Sequence, residues 1–249
     1  KTSSDNIIYG TQIVVTTADA SLTGVTVNTT GTDTYAASAA TDLTNFKLWI
    51  NTSNSLSGAT QLGSTITNAP TLGGALAFTS GSNLPRSVTT ATGTYYLFIT
   101  CDVASGAIPG RLITITSTVF ANITFASANK SGTDPVAAGN TQTIIAAPTI
   151  TTNAAGTIAT TSVILNGTVN ANANSTTATF DYGTAAPAYG TNVTADQSPV
   201  TGTSNTSITK TVTGLGTNTL YHFRAKGVNA VNTTNGSDAT FTTLSNDPT

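Results

Sequence analysis

The sequence predicts an all-β protein built as two tandem antiparallel β-sandwiches, and three observations carry that expectation. Thr, Ser, Asn and Gly number 57, 22, 22 and 22 in a chain of 249 residues, a composition of strands and turns. Glu and Met are absent, and the chain holds only 5 Lys and 3 Arg, so strong helix formers are scarce. Apolar residues recur at alternate positions in short runs that Gly, Asn, Ser and Asp punctuate.

Taken in order, Ile7 to Thr17 places Ile7, Tyr9, Ile13 and Val15 on one strand face, and Gly24 to Asn28 follows as a short strand. Asn45 to Ile50 sets Phe46, Leu48 and Ile50 opposite Lys47 and Trp49. Further strands are expected at Gln61 to Ser64, Ala75 to Thr79, Thr92 to Val103, Arg111 to Val119, Asn122 to Ala126 and Thr141 to Ile145. With no helix-period segment among them, these strands pair antiparallel into a first sandwich over residues 1–146. At Ala146-Ala147-Pro148 the pattern restarts, since Pro148 fixes an extended start. The second series, over residues 147–249, reads Ser162 to Val169, Thr176 to Tyr182, Tyr189 to Thr194, Thr206 to Thr213, Leu220 to Val228 and Ala239 to Thr243. Two sandwiches joined by so short a linker are expected to form a stiff rod.

All ten acids are Asp and the formal net charge is -2, so no basic surface offers itself to a phosphate backbone and nucleic-acid binding is not expected. Purely apolar stretches such as Ile144 to Ala147 fall far short of the roughly 20 residues that span a bilayer. No charged and apolar leader opens the chain, which reads as a soluble mature form. Few Lys, no Glu and abundant Thr and Asn point to an extracellular or cell-surface protein. The single Cys101 falls on the same strand face as Tyr95, Leu97 and Ile99 and is expected to be a buried structural thiol.

The run Leu215-Gly216-Thr217-Asn218-Thr219-Leu220-Tyr221-His222-Phe223-Arg224-Ala225 resembles the corner of fibronectin type III domains where a Leu precedes a strand-opening Tyr by six residues. Gly236 to Thr243 is similar to the last strand of bacterial members, and Phe180-Asp181-Tyr182-Gly183-Thr184 to their third. The resemblance covers residues about 147 to 243 and implies an immunoglobulin-like sandwich in which the Tyr221 phenol bonds back to backbone. Thr217 stands where a Pro is common, and the second strand offers Val163 and Leu165 but no Trp. Residues 1–146 resemble a β-sandwich repeat module of secreted, Bacteroidota-like surface proteins, through Asp42-Leu43-Thr44-Asn45-Phe46-Lys47-Leu48-Trp49, Ala59 to Gly63, Gly93 to Tyr96, Cys101-Asp102-Val103 and Asn122 to Phe125. That resemblance implies an extracellular module without catalysis.

Residues able to carry chemistry are few. His222 is the only histidine and alternates onto the outer face beside Arg224 and Lys226, so neither a Ser/His/Asp triad nor a zinc site of usual ligands is readily built. Most aspartates, including Asp19, Asp33, Asp134, Asp196 and Asp247, fall in turns, where backbone hydrogen bonding accounts for them. No catalytic residue and no resident cofactor are therefore expected. Calcium is the cofactor best matched to the Asp, Asn and backbone oxygens, with Asp42, Asn45 and Asp102 as the candidate ligands. Ten Asn-x-Ser/Thr sequons, at Asn28, Asn51, Asn122, Asn129, Asn166, Asn174, Asn192, Asn205, Asn232 and Asn235, barely exceed what the composition yields by chance.

The resulting expectation is a non-enzymatic structural or adhesive protein, a subunit or segment of a surface fibre, stalk or adhesin. Its partners are further copies of itself or neighbouring surface modules, joined by exchange of the strand bearing Ile7, Tyr9, Ile13 and Val15. The alternative is a pair of carbohydrate-binding or spacer modules of a secreted polysaccharide-degrading enzyme, which would bind glycans on exposed aromatics such as Trp49, Tyr96 and Tyr189.

Overall fold

The computed structural model describes residues 3–16, 20–30, 42–67, 74–79, 88–90, 92–116, 122–126 and 142–246. Asp19, Asp33, Asp134, Asp247 and Asn129 lie outside the described residues. The described residues form strands and no helices, as the composition requires, and the chain divides into two compact units at Ile144/Ile145. The sequence places that division at 146/147, and local hydrogen bonds explain the difference. Ile144 donates to Arg111 O and accepts from Gly110 N, holding it in the first unit. Ala146 donates to Asn172 O and accepts from Asn229 Nδ2, and Ala147 O accepts from Asn172 Nδ2, so both are fastened into the second.

The first unit is a sandwich of two antiparallel sheets. One has the order β1 (Ser3–Val15), β7 (Gly93–Val103), β3 (Leu43–Asn51), β4 (Thr60–Ile66). In the other, β2 (Ala20–Thr30) is central, flanked by β5 (Ala75–Thr79) and β6 (Val88–Thr90) on one side. On its other side lie β8 (Leu112–Thr116) and β9 (Ile123–Phe125), and β10 (Gln142–Thr143) pairs with β8. Phe46, Leu48, Leu97 and Ile99 from the first sheet meet Leu22, Val27, Leu76 and Phe78 from the second in one core. Burying each of these side chains contributes about 2 kcal/mol before chain entropy is charged against it.

A β-bulge corrects the sequence reading of β1. The register steps from Ile7 opposite Thr100 to Tyr9 opposite Ile99, leaving Ile8 as an inserted residue. The insertion reverses the face of everything before it. Tyr9 and Val15 are buried and Ile13 packs against the core, whereas Ile7 stands 44% exposed and Ile8 takes the inward position. β7 departs from simple alternation as well: Leu97 to Cys101 are all buried, because neighbouring side chains cover Phe98 and Thr100 on the outer face.

The second unit also pairs two sheets. The first has the order β11 (Thr149–Gly156), β12 (Ser162–Asn170), β15 (Asn205–Thr213). The second has the order β14 (Thr191–Thr194), β13 (Thr177–Gly183), β16 (Leu220–Val228), with β17 (Thr233–Asn235) and β18 (Ala239–Thr242) both paired to β16. Val163, Leu165 and Ile208 face Phe180, Phe223 and Phe241 across the core. β11 fastens to both sheets: it pairs with β12, and Ala225 N in β16 donates to Thr152 Oγ1 at 3.0 Å.

Candidate functional site

The calcium candidates separate into two groups. Asp42, 1% exposed at the start of β3, accepts the Ile108 backbone N–H at Oδ1 (2.8 Å) and the Arg111 guanidinium at Oδ2. Its backbone O also accepts Ala104 N–H, so Asp42 clasps the segment between β7 and β8. A carboxylate whose oxygens hold a guanidinium and an amide is a structural acceptor, not a vacant cation ligand.

Asn45 and Asp102 do meet. Asn45 adopts φ 53° at a β-bulge in β3, and that twist aims its Nδ2 at Asp102 Oδ2 (2.8 Å). Asp102 Oδ1 accepts Asp5 N (2.8 Å), and the Asp5 carboxylate binds Lys47 Nζ (2.8 Å) and Thr100 Oγ1 (3.3 Å). The bond to Asp5 holds the Lys47 ammonium above its ordinary pKa, and burial opposes it less strongly. Among the described residues no group of three or more His, Cys or Asp is gathered to hold a metal ion.

Trp49 belongs to the same outer surface. Its indole N–H donates to Thr100 Oγ1 at 2.9 Å, Lys47 Nζ lies 5.9 Å from its ring centroid, and the side chain is half-buried. Pairing aligns Gly10, Phe98, Trp49 and Gln61 in one row across the four strands, with Gln12, Tyr96 and Asn51 in the next. Beneath the sheet Cys101 is buried, as expected of a structural thiol, and desolvation followed by the Asp102 charge pushes its pKa up to about 12.

In the second unit His222 lies half-buried on the outer face and is engaged by a carboxylate. His222 Nδ1 lies 2.7 Å from Asp238 Oδ2, and Tyr189 Oη donates to Asp238 Oδ1 at 2.9 Å. The Arg224 guanidinium lies 4.9 Å from the Tyr189 ring centroid and donates Nε to Asp181 Oδ2 (3.0 Å), whose Oδ1 accepts Asn192 Nδ2 (2.6 Å). Burial, then the bond to Asp238, raises the Tyr189 pKa. Alternation alone puts His222 and Arg224 on this face; Asp181 stands opposite Arg224 on β13, while Asp238, just before β18, and Tyr189, in the segment just before β14, are brought in by the fold, which strand period cannot reveal. Gly183 makes room for that segment, because a Cβ there would fall 1.7 Å from Tyr189 O.

Tyr221 opens β16, stacks on Phe241 (centroids 5.4 Å, interplanar angle 13°) and accepts Gly216 N–H at 2.9 Å, a bond back to the backbone of the preceding turn. The sequons at Asn166 and Asn192 have their amide nitrogens engaged, with Ala154 O and with Asp181 and Thr179.

No protein-family model matches the chain, and no curated protein does. Among solved structures it is similar to the sensor domain of the anti-sigma factor RsgI4 in Pseudobacteroides cellulosolvens. A short form is 21% identical, covering 41% of this chain and 99% of that one at a TM-score of 0.30. A long form is 22% identical, with coverages of 41% and 95% and a TM-score of 0.29. The solution structure is 22% identical, with coverages of 40% and 76% and a TM-score of 0.30. A likeness this slight assigns no activity.

Proposed function

We propose that the chain is a non-enzymatic structural or adhesive component of an extracellular protein, a pair of sandwich modules serving in a surface fibre, stalk or adhesin. The observation that supports it is the use made of the carboxylates. Asp5, Asp42, Asp102, Asp181, Asp196 and Asp238 are the described aspartates, and each is bound to a Lys, Arg, Asn, His or Tyr side chain that fastens one part of the fold to another. Catalysis needs an acid held ready for substrate, and these acids are committed to strands. The order of the second unit's sheets, with Tyr221 bonded to Gly216, supports a fibronectin type III-like reading of residues 147–249. The purified chain should show no turnover on polysaccharide and peptide panels, and labelling of source cells should place it at the surface. Turnover abolished by a single Asp→Asn change, or a cytoplasmic location, refutes the reading.

One observation favours a glycan-binding module instead. Trp49 and Tyr96, both half-buried, share the outer face of the first sheet with the amides of Gln12, Asn51 and Gln61, the mixture a sugar ring stacks on and bonds to. A shift of Trp49 fluorescence on adding soluble polysaccharide, lost in Tyr96→Ala, would establish it.

A further inference from the structure

The edges of the four sheets are not treated alike. In the second unit the free side of β15 is occupied: Asp196 N donates to Thr209 O (3.0 Å), and Gln197 Oε1 accepts Thr209 N–H (2.7 Å). β11 carries a register shift between Asn153 and Gly156 and lends Thr152 to the opposite sheet. β14, β17 and β18 run for four, three and four residues. In the first unit β10 spans two residues and β5 five. β4 is broken by a register shift and by Gly63 at φ 73°, where Gln61 Nε2 takes the Gly63 carbonyl. Shortness, bulges and side-chain plugs are the devices that keep a sheet edge from pairing with another chain.

β1 has none of them over Tyr9–Val15. From Gly10 to Val15 this stretch lies at the end of its sheet, pairs with Gly93–Phe98 in unbroken register, and contains no Pro, no Lys and no other charge. The one charge of β1, Asp5, is turned onto its own sheet by Lys47 and Thr100. Among the described residues no strand pairs with its other side.

We propose that this edge pairs with the same edge of a second copy of the chain, antiparallel about a two-fold axis at Gln12. The proposal rests on the reading of the chain as a self-associating structural component and supplies its route, edge addition without exchange. The register follows from the side chains. Antiparallel pairing centred on Gln12 sets Gln12 opposite Gln12, Thr11 opposite Ile13 and Gly10 opposite Val14, so each inward residue meets an inward one. Val14 is 59% exposed, and Gly10 presents bare backbone beside the edge of the Phe98 ring, 3.5 Å from where a Cβ would stand. In the pair, Val14 of one copy stands opposite Gly10 of the other and fills the space its missing side chain leaves, a cross-strand cover for a strand glycine. Displacing the register by one residue would set the inward residues of one copy against the outward residues of the other.

The test uses the whole chain. Light scattering against concentration should show mass rising from one copy to two, and Gln12→Cys should oxidise to a covalent dimer, since opposed strand residues lie within disulfide reach. The buried Cys101 does not compete. Val14→Lys should weaken the dimer at least about tenfold while leaving Trp49 fluorescence unchanged, because Val14 is exposed. An intact chain that stays monomeric, a dimer indifferent to Val14→Lys, or a mixed disulfide between Gln12→Cys and Tyr96→Cys copies overturns the proposal, the last by showing exchange. Enzymatic turnover would sink the structural reading and leave this pairing standing.

Discussion

Asp42→Ala tests how much of the first unit hangs on one buried carboxylate. The change removes the acceptor of the Ile108 N–H and of the Arg111 guanidinium and leaves both donors behind. Charge-assisted bonds each contribute about 1.5–3 kcal/mol net, and orphaning the partner of a buried pair costs about 3–5 kcal/mol. Arg111 keeps 25% of its side chain exposed and can turn to water, so the lower end applies, about 3 kcal/mol. Asp42→Asn retains the acceptor for Ile108 and loses only the charge, for about 1.5 kcal/mol. The readout separates the units without cutting the chain, because Trp49 is the only tryptophan and lies in the first. Urea unfolding followed by its fluorescence should move to lower denaturant by about 1.5 M for Asp42→Ala, taking a slope near 2 kcal/mol/M. A cycle with Arg111→Met should return a coupling above about 1 kcal/mol. A shift below about 0.5 kcal/mol for Asp42→Ala, or a wild-type midpoint raised by calcium and lowered by chelator, would refute the assignment of Asp42 as a clasp.

Tyr221→Phe removes the acceptor of the Gly216 N–H while keeping the stack on Phe241, and should lower second-unit stability by about 1 kcal/mol in calorimetry. Gly183→Ala should cost more than about 3 kcal/mol, since its Cβ would overlap Tyr189 O and drive that segment off the sheet. The Cys101 thiol is held near 12 in the fold against 9.0 unperturbed. Its contribution is therefore complete below pH 9 and lost as pH rises toward 12, because only the unfolded chain releases the proton. Stability of the first unit should fall by up to about 1.4 kcal/mol per pH unit in that window, and Cys101→Ala should remove this slope. Thiol reagents should label Cys101 only after unfolding.

Legibility followed how local each cause was. Ala75 to Thr79 is readable at its observed limits because the large apolar residues Leu76 and Phe78 alternate between the sequence punctuation of Gly73-Gly74 and Ser80-Gly81. β6 and β17 escaped: Val88–Thr90 and Thr233–Asn235 are three residues each, and Thr and Asn carry no alternation to read. Strand period alone sets Ile7 on the inner face because it cannot register an inserted residue, and the insertion at Ile8 is fixed by pairing with β7. The polar networks were least legible. Asp42 finds Arg111 69 residues away and His222 finds Asp238 16 away, distances set by sheet order. Tyr221 was legible because its partner, Gly216, is five residues distant in the same turn.

The double attachment of β11 has a mechanical side. Tension carried along the chain from the first unit enters the second through this strand. Peeling an ordinary edge strand breaks its ladder one rung at a time. β11 is tied to β12 along Thr149–Asn153 and also, through the Thr152 hydroxyl, to Ala225 of the opposite sheet, with Gly236 packed against the Thr152 backbone. A pull on residue 149 therefore loads both layers of the sandwich together, and the strand cannot be withdrawn from one until its tie to the other has given way.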